Sequence, residues 1–254
     1  LRDRLKKYYD LGARFTKWRG VYSISEKYPS KLAINSNAHA LARYSALVQE
    51  SGMVPIVEPE LLMDGNHSAD ICLSKTSEVI KAAIAGDDRF KLVTNTEKSY
   101  ALKNIHDTIQ ELNPDDQDII LTLDGDDWLA SRHVLSKINE VYNESGCWMT
   151  YGSYVEHPSN VKGQFSRQIP KSIIYSNAYR ESPWCSSHLR TFKCGLWRKI
   201  NKKDLINDET GRFVKAAWDL AFMFPMLEMS GEKAVYVKDI MYVYNRTNPL
   251  NEDK

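Results

Sequence analysis

The stretch that decides the fold is DIILTLDGDDWL, residues 118–129. Its first six residues form a nearly continuous apolar run, which is typical of a strand buried inside a parallel sheet. Asp124, Asp126 and Asp127 follow directly, with Gly125 allowing a close turn of the backbone. Because α/β sheets bind ligands beyond the carboxyl ends of their strands, the stretch predicts a polar site at one edge of a sheet.

Strands and helices alternate on the N-terminal side of this stretch. Apolar runs predict strands at 15–24, 53–62 and 90–95, and apolar residues at helical spacing predict helices at 36–52, 69–84 and 101–112. This order is typical of an α/β fold, with a mostly parallel sheet flanked by helices. Beyond residue 130 the order is less regular, with a helix expected at 134–142 and a strand at 147–152.

The composition argues against several kinds of protein. The chain has 254 residues, 43% of them hydrophobic, and a formal net charge of +1, which is typical of a globular protein without a nucleic-acid groove. The longest apolar stretch, at 221–227, is too short to span a membrane. Four cysteines without a CxxC pair predict reduced thiols rather than zinc. With no secretory signal expected at Leu1, the predicted location is the cytoplasm.

The first part of the chain resembles class I fructose-bisphosphate aldolase. The resemblance is carried by GARFTKWRGVYSI at 12–24 and ALARYSALVQESGMVPIVEPELLMDGNHS at 40–68. It implies two βα units of a (β/α)₈ barrel, with catalytic groups at the carboxyl ends of the strands. It also implies an active-site role for Lys17, with Arg19 beside it, and proton transfer by Glu58. A solvated lysine and a surface acid are the alternatives for Lys17 and Glu58.

Parts of that family's active site have no counterpart here. The Schiff-base lysine of the family lies in a Leu-Lys-Pro-Asn context, which this sequence lacks. Two βα units also cannot close a barrel of eight strands. We therefore expect no aldolase catalysis from this chain acting alone.

Residues from about 76 to 254 resemble a GT-A-fold glycosyltransferase of family two. The resemblance rests on DIILTLDGDDWL, SSHLRTF at 186–192 and AWDLAFMFPMLEMSG at 217–231. It implies transfer of a sugar from a nucleotide-sugar donor to the hydroxyl of a glycan or other acceptor. It further implies manganese or magnesium held by Asp124 and Asp126, with Asp219 as catalytic base. The implied donor-binding residues are Asp124, Asp126, Asp127, His188 and Arg246.

Each of these residues has a simpler interpretation. The aspartates could form a polar turn after the strand. A calcium-binding EF-hand loop is a further alternative, but the residues that follow do not have its spacing. Asp219 could cap a helix or pair with Arg212, His188 could be structural, and Arg246 could lie on the surface. Three tryptophans could stack against a sugar or pack in the core: Trp184, Trp197 and Trp218.

The two resemblances predict a chimeric organisation. Residues 1–80 would be an aldolase-derived βαβα fragment and residues 81–254 a GT-A-like domain, joined within TSEVIK at 76–81 and packed as one continuous α/β unit. The strands at 15–24 and 53–62 would pair beside 118–123. The predicted function is an inverting hexosyltransferase, impaired because the nucleotide-binding strands are missing. An inert fusion or assembly chimera is the alternative, and fructose-bisphosphate aldolase, a glycolytic lyase, is the third possibility.

Overall fold

The computed structural model describes residues 1–85, 90–95 and 97–247. It divides the chain into two compact units, Leu1–Thr96 and Glu97–Lys254. The predicted boundary after residue 80 and the packing as one continuous unit stay predictions, and residue 80 falls inside the first of these units. The TSEVIK segment at 76–81 therefore lies wholly within the first unit.

The first unit alternates helices with strands, as predicted. Two of its helices begin at serines, Ser30 and Ser68, whose hydroxyls accept hydrogen bonds from Ala33 N and Ile71 N at the free amino ends of the helices. The elements, in chain order, are α1 Arg2–Asp10, β1 Phe15–Tyr22, α2 Lys31–Glu50, β2 Val54–Leu61 and α3 Ala69–Ala83.

β1 and β2 pair in parallel and form a sheet of two strands. The register runs from Phe15 opposite Val54 to Tyr22 opposite Leu61. The helices pack against one face of the sheet, as shown by the contact between the rings of Trp18 on β1 and Tyr44 on α2. Two small clusters of buried residues form the core of this unit: Leu5, Tyr44, Val48 and Met53, and Tyr22, Ile34, Leu61 and Val79.

The second unit contains more and shorter elements. They are α4 Ala101–Leu112, β3 Ile119–Leu121, β4 Trp128–Leu129, α5 Val134–Ser145, β5 Met149–Tyr151, β6 Tyr154–His157, β7 Val161–Lys162, α6 Lys171–Ser176, β8 Thr191–Lys193, α7 Cys194–Trp197, β9 Ile206–Asn207, β10 Arg212–Phe213, α8 Trp218–Ser230, β11 Ala234–Tyr236 and β12 Tyr242–Asn245. The 3₁₀ turn Lys202–Leu205 precedes β9, and the 3₁₀ turn Gly231–Lys233 follows α8 directly.

The sheets of the second unit are mixed. One four-stranded sheet has the order β11-β5-β8-β3, and another has the order β4-β12-β6-β7. β5 pairs in parallel with β11, and β6 with β12, but the remaining pairs in both sheets are antiparallel. The fold is therefore mixed α/β with several small sheets, and the expected mostly parallel, GT-A-like sheet is not confirmed. Among the residues described there is also no closed barrel.

Two further expectations about strands are wrong. β1 and β2 pair only with each other, whereas β3 pairs with β8, so the aldolase-like strands do not extend the sheet that contains β3. Residues 90–95, expected as a strand, form no ladder with any strand that the structure describes. A strand needs a neighbouring strand to bond its backbone groups. β3 pairs with β8 instead of with β1 or β2, and residues 90–95 pair with no described strand.

A group of aromatic residues forms one part of the core of the second unit. Phe222 on α8 is fully buried, and its ring lies 5.7 Å from Phe192, 5.6 Å from Trp197 and 5.9 Å from Trp218, measured between centroids. Trp197 is itself 3% exposed, so it is a core residue rather than a sugar-stacking surface. The sheet containing β5 and β8 therefore packs against α8 through these rings.

We expect Phe222→Ala to lower the free energy of unfolding by about 3–5 kcal/mol, because it leaves a cavity among three aromatic rings. Denaturant unfolding followed by tryptophan fluorescence measures the loss. Leu135→Ala is the matched control, since Leu135 is 60% exposed and should change stability by less than about 0.5 kcal/mol. Equal effects of the two substitutions would contradict this description of the core.

No helix within the described ranges combines the length and the apolar character needed to cross a bilayer.

Candidate functional sites

The first candidate site lies on the face of the β1–β2 sheet that the helices leave uncovered. Lys17 Nζ lies 2.7 Å from Glu58 Oε1, and Arg19 Nε lies 3.0 Å from Glu58 Oε2 and 2.7 Å from Glu60 Oε2. The parallel register produces this arrangement, because it sets Arg19 opposite Glu58 and places Lys17 on the same face. The structure therefore brings together the two residues predicted from the sequence, Lys17 and Glu58.

The two cations control the charge of Glu58. Partial burial alone would raise the pKa of this carboxyl, but hydrogen bonds from Lys17 and Arg19 outweigh that effect and hold its pKa below the usual value. At neutral pH the side chain is a carboxylate that faces an ammonium group. The lowered pKa makes Glu58 a weak base, so proton transfer here would require substrate to displace the cations and raise the pKa of Glu58 toward neutral pH.

The second candidate site is a pocket of about 350 Å³ in the second unit. Aromatic side chains form part of its wall, and the buried Arg190 with the partly buried Asp124 and Asp219 forms another part. The lining residues include Asp124, Trp184, His188, Arg190, Trp218 and Asp219. Trp184 and Trp218 line the pocket and also pack against core rings, those of Phe224 and Phe222.

Arg190 organises the charges of this pocket. It is 2% exposed, and its Nη1 donates to Asp219 Oδ2 at 2.6 Å while its Nη2 lies 3.8 Å from Asp124 Oδ2. Sequence reasoning missed Arg190, because an arginine is usually exposed. The available signal was its spacing of two from His188, which puts both side chains on one face of an extended segment.

The contacts of His188 determine its protonation. Arg190 Nη2 lies 2.8 Å from His188 Nε2, and since arginine only donates, this nitrogen must accept. The other nitrogen, Nδ1, then carries the proton and donates to Ser187 Oγ at 2.9 Å. Burial, together with the charge of Arg190, lowers the pKa of His188 to about 4, so the ring is neutral at pH 7.

Asp127 is held by groups outside the pocket. Its Oδ2 accepts from the Tyr242 hydroxyl at 2.6 Å, and its Oδ1 accepts from Asn245 N at 2.7 Å. Despite these bonds, burial raises the pKa of Asp127 to about 6. Burial would also raise the pKa of Asp124, but the charge of Arg190, whose Nη2 lies 3.8 Å from Asp124 Oδ2, holds it below the usual value.

The shifts of Asp127 and His188 oppose each other between pH 4 and 6. The raised pKa of Asp127 favours the fold while the carboxyl is protonated, so this stabilisation is lost as the pH rises toward 6. The lowered pKa of His188 has the opposite sign, because the unfolded chain binds the proton more readily, so stability rises from pH 4 to about 6.5.

We therefore expect Asp127→Asn to expose the effect of His188. In the variant, the free energy of unfolding should increase with pH between 4 and 6 more steeply than in the wild type, by up to about 1.4 kcal/mol per pH unit. Denaturant titrations of both proteins at pH 4.5 and 6 measure the difference. Equal pH dependence in the two proteins would show that Asp127 does not titrate in this range.

The remaining predicted residues lie apart from the cluster or differ in their partners. Arg246 forms an ion pair with Glu156, Nε to Oε2 at 3.0 Å, and does not line the pocket. Asp126 is exposed. Asp219 begins α8 but pairs with Arg190 rather than with Arg212.

Three residues come close enough to share a cation. Ligand atoms of Asp124, Asp127 and His188 lie within 4.8 Å of one another. The sequence instead predicted a metal held by Asp124 and Asp126. Carboxylate oxygens and a neutral imidazole suit a divalent metal. The fit has one obstacle, since His188 Nε2 already accepts a hydrogen bond from Arg190, which would have to withdraw from it.

Comparison with known proteins identifies the family resemblance of the first unit. The family model described as fructose-bisphosphate aldolase class-I matches residues 1–89. A protein of Xanthomonas campestris named "probable fructose-bisphosphate aldolase class 1" is 55% identical over 82 residues, which are 32% of this chain and 25% of that protein. The cytosolic fructose-bisphosphate aldolase 4 of Arabidopsis thaliana is also 55% identical over 82 residues, 32% of this chain and 21% of that protein.

The fructose-bisphosphate aldolase of Plasmodium falciparum, in complex with TRAP and a small-molecule inhibitor, is 44% identical and covers 33% of this chain and 24% of its own, with a TM-score of 0.32. The chain spans about a quarter of the length of the curated relatives that it matches.

These findings correct the functional prediction. The predicted glycosyltransferase function is wrong, because the similarities found are to aldolases and none of them shows a glycosyltransferase part. Nucleotide-sugar partners are likewise unsupported, and the base role expected of Asp219 depended on that function. The aldolase resemblance is confirmed, and residues 1–89 are similar to class I fructose-bisphosphate aldolase.

Proposed function

We propose that this chain contributes to fructose-bisphosphate aldolase chemistry, with Lys17, Arg19 and Glu58 as its share of the active site. The observation that carries the proposal is the contact of 2.7 Å between Lys17 Nζ and Glu58 Oε1. It joins adjacent parallel strands within a segment that is 55% identical to aldolases. At this site Glu58 would take up and return a proton at the reacting carbon–oxygen centre, while the two cations would bind the phosphate-bearing substrate.

In this proposal the first unit acts together with further barrel strands, which are not among the described residues. Two strands cannot close a barrel, and the sequence contains no Leu-Lys-Pro-Asn segment to supply the lysine of a Schiff base. Further barrel strands, from outside the described residues, would pair with the outer edges of β1 and β2. The assembled site would then hold the carbonyl of the substrate next to Lys17 and Glu58.

Borohydride trapping tests the proposal. The full chain is mixed with an aldolase from which the matching segment of about 82 residues has been deleted, and fructose 1,6-bisphosphate and borohydride are added. We expect a reduced adduct on the deleted aldolase only in the mixture, detected by mass spectrometry, and none on this chain alone. Failure of the mixture to form an adduct beyond the level of the deleted aldolase alone would contradict the proposal.

We also propose that Asp124, Asp127 and His188 of the second unit bind a divalent cation. The supporting observation is the closeness of their three ligand atoms, within 4.8 Å. Titration of the full chain with Mn²⁺, followed by electron paramagnetic resonance, tests for a bound ion. We expect one saturable site, weakened at least about tenfold in Asp124→Asn, and unchanged in Asp115→Asn, which removes an exposed carboxylate outside the cluster. Equal binding by both variants would refute this proposal.

A further inference from the structure

β3 lies at the end of its four-stranded sheet, and one of its edges has no partner strand in the ranges that the structure describes. Its other edge bonds to β8 and the residues beside it, with Cys194 N donating to Asp118 O at 2.8 Å and Thr122 N donating to Arg190 O at 3.5 Å. In an antiparallel pair every second residue bonds across the pair. The N–H and C=O groups of Ile119, Leu121 and Leu123 therefore point away from β8, toward the open edge.

An apolar groove of about 350 Å³ runs along this open edge. It is lined by residues 120–125, by residues of α4 and by Trp218. Leu123, at the end of β3, is 46% exposed. The hydroxyl of Thr122 in the same groove is buried and has no hydrogen-bond partner among the described residues. The groove thus offers both free backbone groups and apolar surface, which is the combination that binds an added strand.

The charges at the two ends of β3 differ. Before the strand, Asp115, Asp116 and Asp118 are accompanied by Arg198, which pairs with Asp116, and by Lys193, whose Nζ donates to Gln117 at 2.8 Å. After the strand, Arg190 lies 3.8 Å from Asp124 and is shared with Asp219, and the described partners of Asp127 are Tyr242 and Asn245. An excess of negative charge therefore lies at the carboxyl end of β3.

From these features we infer that the open edge of β3 binds an extended peptide by strand addition. The peptide would carry apolar side chains at alternate positions, which enter the groove, and basic residues at the end that lies beside Asp124 and Asp127. Backbone hydrogen bonds to Ile119, Leu121 and Leu123 would supply the affinity. The basic residues would set the direction of the peptide, since charge complementarity fixes register.

Fluorescence anisotropy with a labelled peptide, Lys-Lys-Val-Thr-Ile-Thr-Val-Thr, tests the inference on the full chain. We expect saturable binding, and at least about a tenfold loss of affinity when alternate peptide nitrogens are methylated, because the side chains stay the same while the backbone donors are removed. A peptide with Glu-Glu in place of Lys-Lys should bind at least about tenfold more weakly. Equal binding of the methylated peptide, or no saturable binding, would overturn the inference.

Two protein variants locate the binding site. Thr108→Lys places a long cation in the groove wall on α4 and should lower affinity at least about tenfold, whereas Gln110→Lys adds the same charge to an exposed position outside the groove and should not. Hydrogen exchange should show protection of the Leu121 and Leu123 amides only when peptide is bound. Protection of these amides by concentration-dependent self-association, without peptide, would assign the edge to a second copy and overturn the inference.

Discussion

Replacing Glu58 with Gln should lower the rate of fructose 1,6-bisphosphate cleavage by about 10²- to 10⁴-fold in the mixture of this chain with the deleted aldolase. Gln is nearly isosteric with Glu and can still accept a hydrogen bond from Lys17 or Arg19, though not from both, because one of the two contacting oxygens becomes an amide nitrogen. What it cannot do is exchange a proton, because it has no titratable group. The loss should therefore appear in kcat, measured by a coupled assay of triose phosphate release.

The matched control is Glu60→Gln. Glu60 lies on the same face of β2, but its recorded contact is the ion pair with Arg19, and its side chain is 41% exposed. We expect its removal to change kcat by less than about threefold, since exposed ion pairs contribute little. Equal losses from Glu58→Gln and Glu60→Gln would show that the cluster matters only through its charge, and would remove the proton-transfer role from Glu58.

Asp219→Ala should destabilise the second unit by about 3 kcal/mol. It leaves the guanidinium of Arg190, 2% exposed, without the carboxylate that it contacts at 2.6 Å, and a buried charge without its partner is costly. The loss lies at the lower end of the usual range because Asp124, at 3.8 Å from the guanidinium, compensates in part. Denaturant unfolding of the variant and the wild type measures the change.

Two further variants separate charge from packing at this pair. Asp219→Asn keeps an acceptor for Arg190 and should lose less stability than Asp219→Ala. The double variant Arg190→Met, Asp219→Ala removes both charges and should recover much of the loss, since apolar residues often replace buried ion pairs well. Asp116→Ala breaks the more exposed pair with Arg198 and should cost less than about 1 kcal/mol. A loss as large as that of Asp219→Ala would contradict the importance of burial.

In the first unit the sequence predicted β1, α2, β2 and α3 but not α1, and in the second unit it missed the pairing of the strands. α2, α3 and α4 were predictable because apolar residues recur at helical spacing, which is a local property of the chain. β3 was predictable as a strand, but its antiparallel partner β8 lies far along the chain, and no local pattern specifies it. The parallel sheet was therefore expected where a mixed one exists.

The candidate sites also contain residues that the sequence predicted and one that it did not. Lys17 and Glu58 were found because the surrounding sequence is distinctive and their strands are neighbours. Asp124 and Asp127 were found from their position after a strand, but the function inferred from the D-x-D pattern was wrong, since such a pattern is also an ordinary polar turn. Arg190 was missed because its burial depends on Asp219, a partner that only the fold brings near.

Steady-state cleavage of fructose 1,6-bisphosphate by the wild-type mixture tests the central claim most directly. The claim is that the first unit is a working part of an aldolase site, built on the contact between Lys17 and Glu58. We expect the full chain and the deleted aldolase to be inactive alone and to cleave the substrate when they are combined. The rate should saturate as the concentration of either polypeptide is increased. A combined rate no greater than the sum of the separate rates, under conditions where the two polypeptides bind each other, would contradict it.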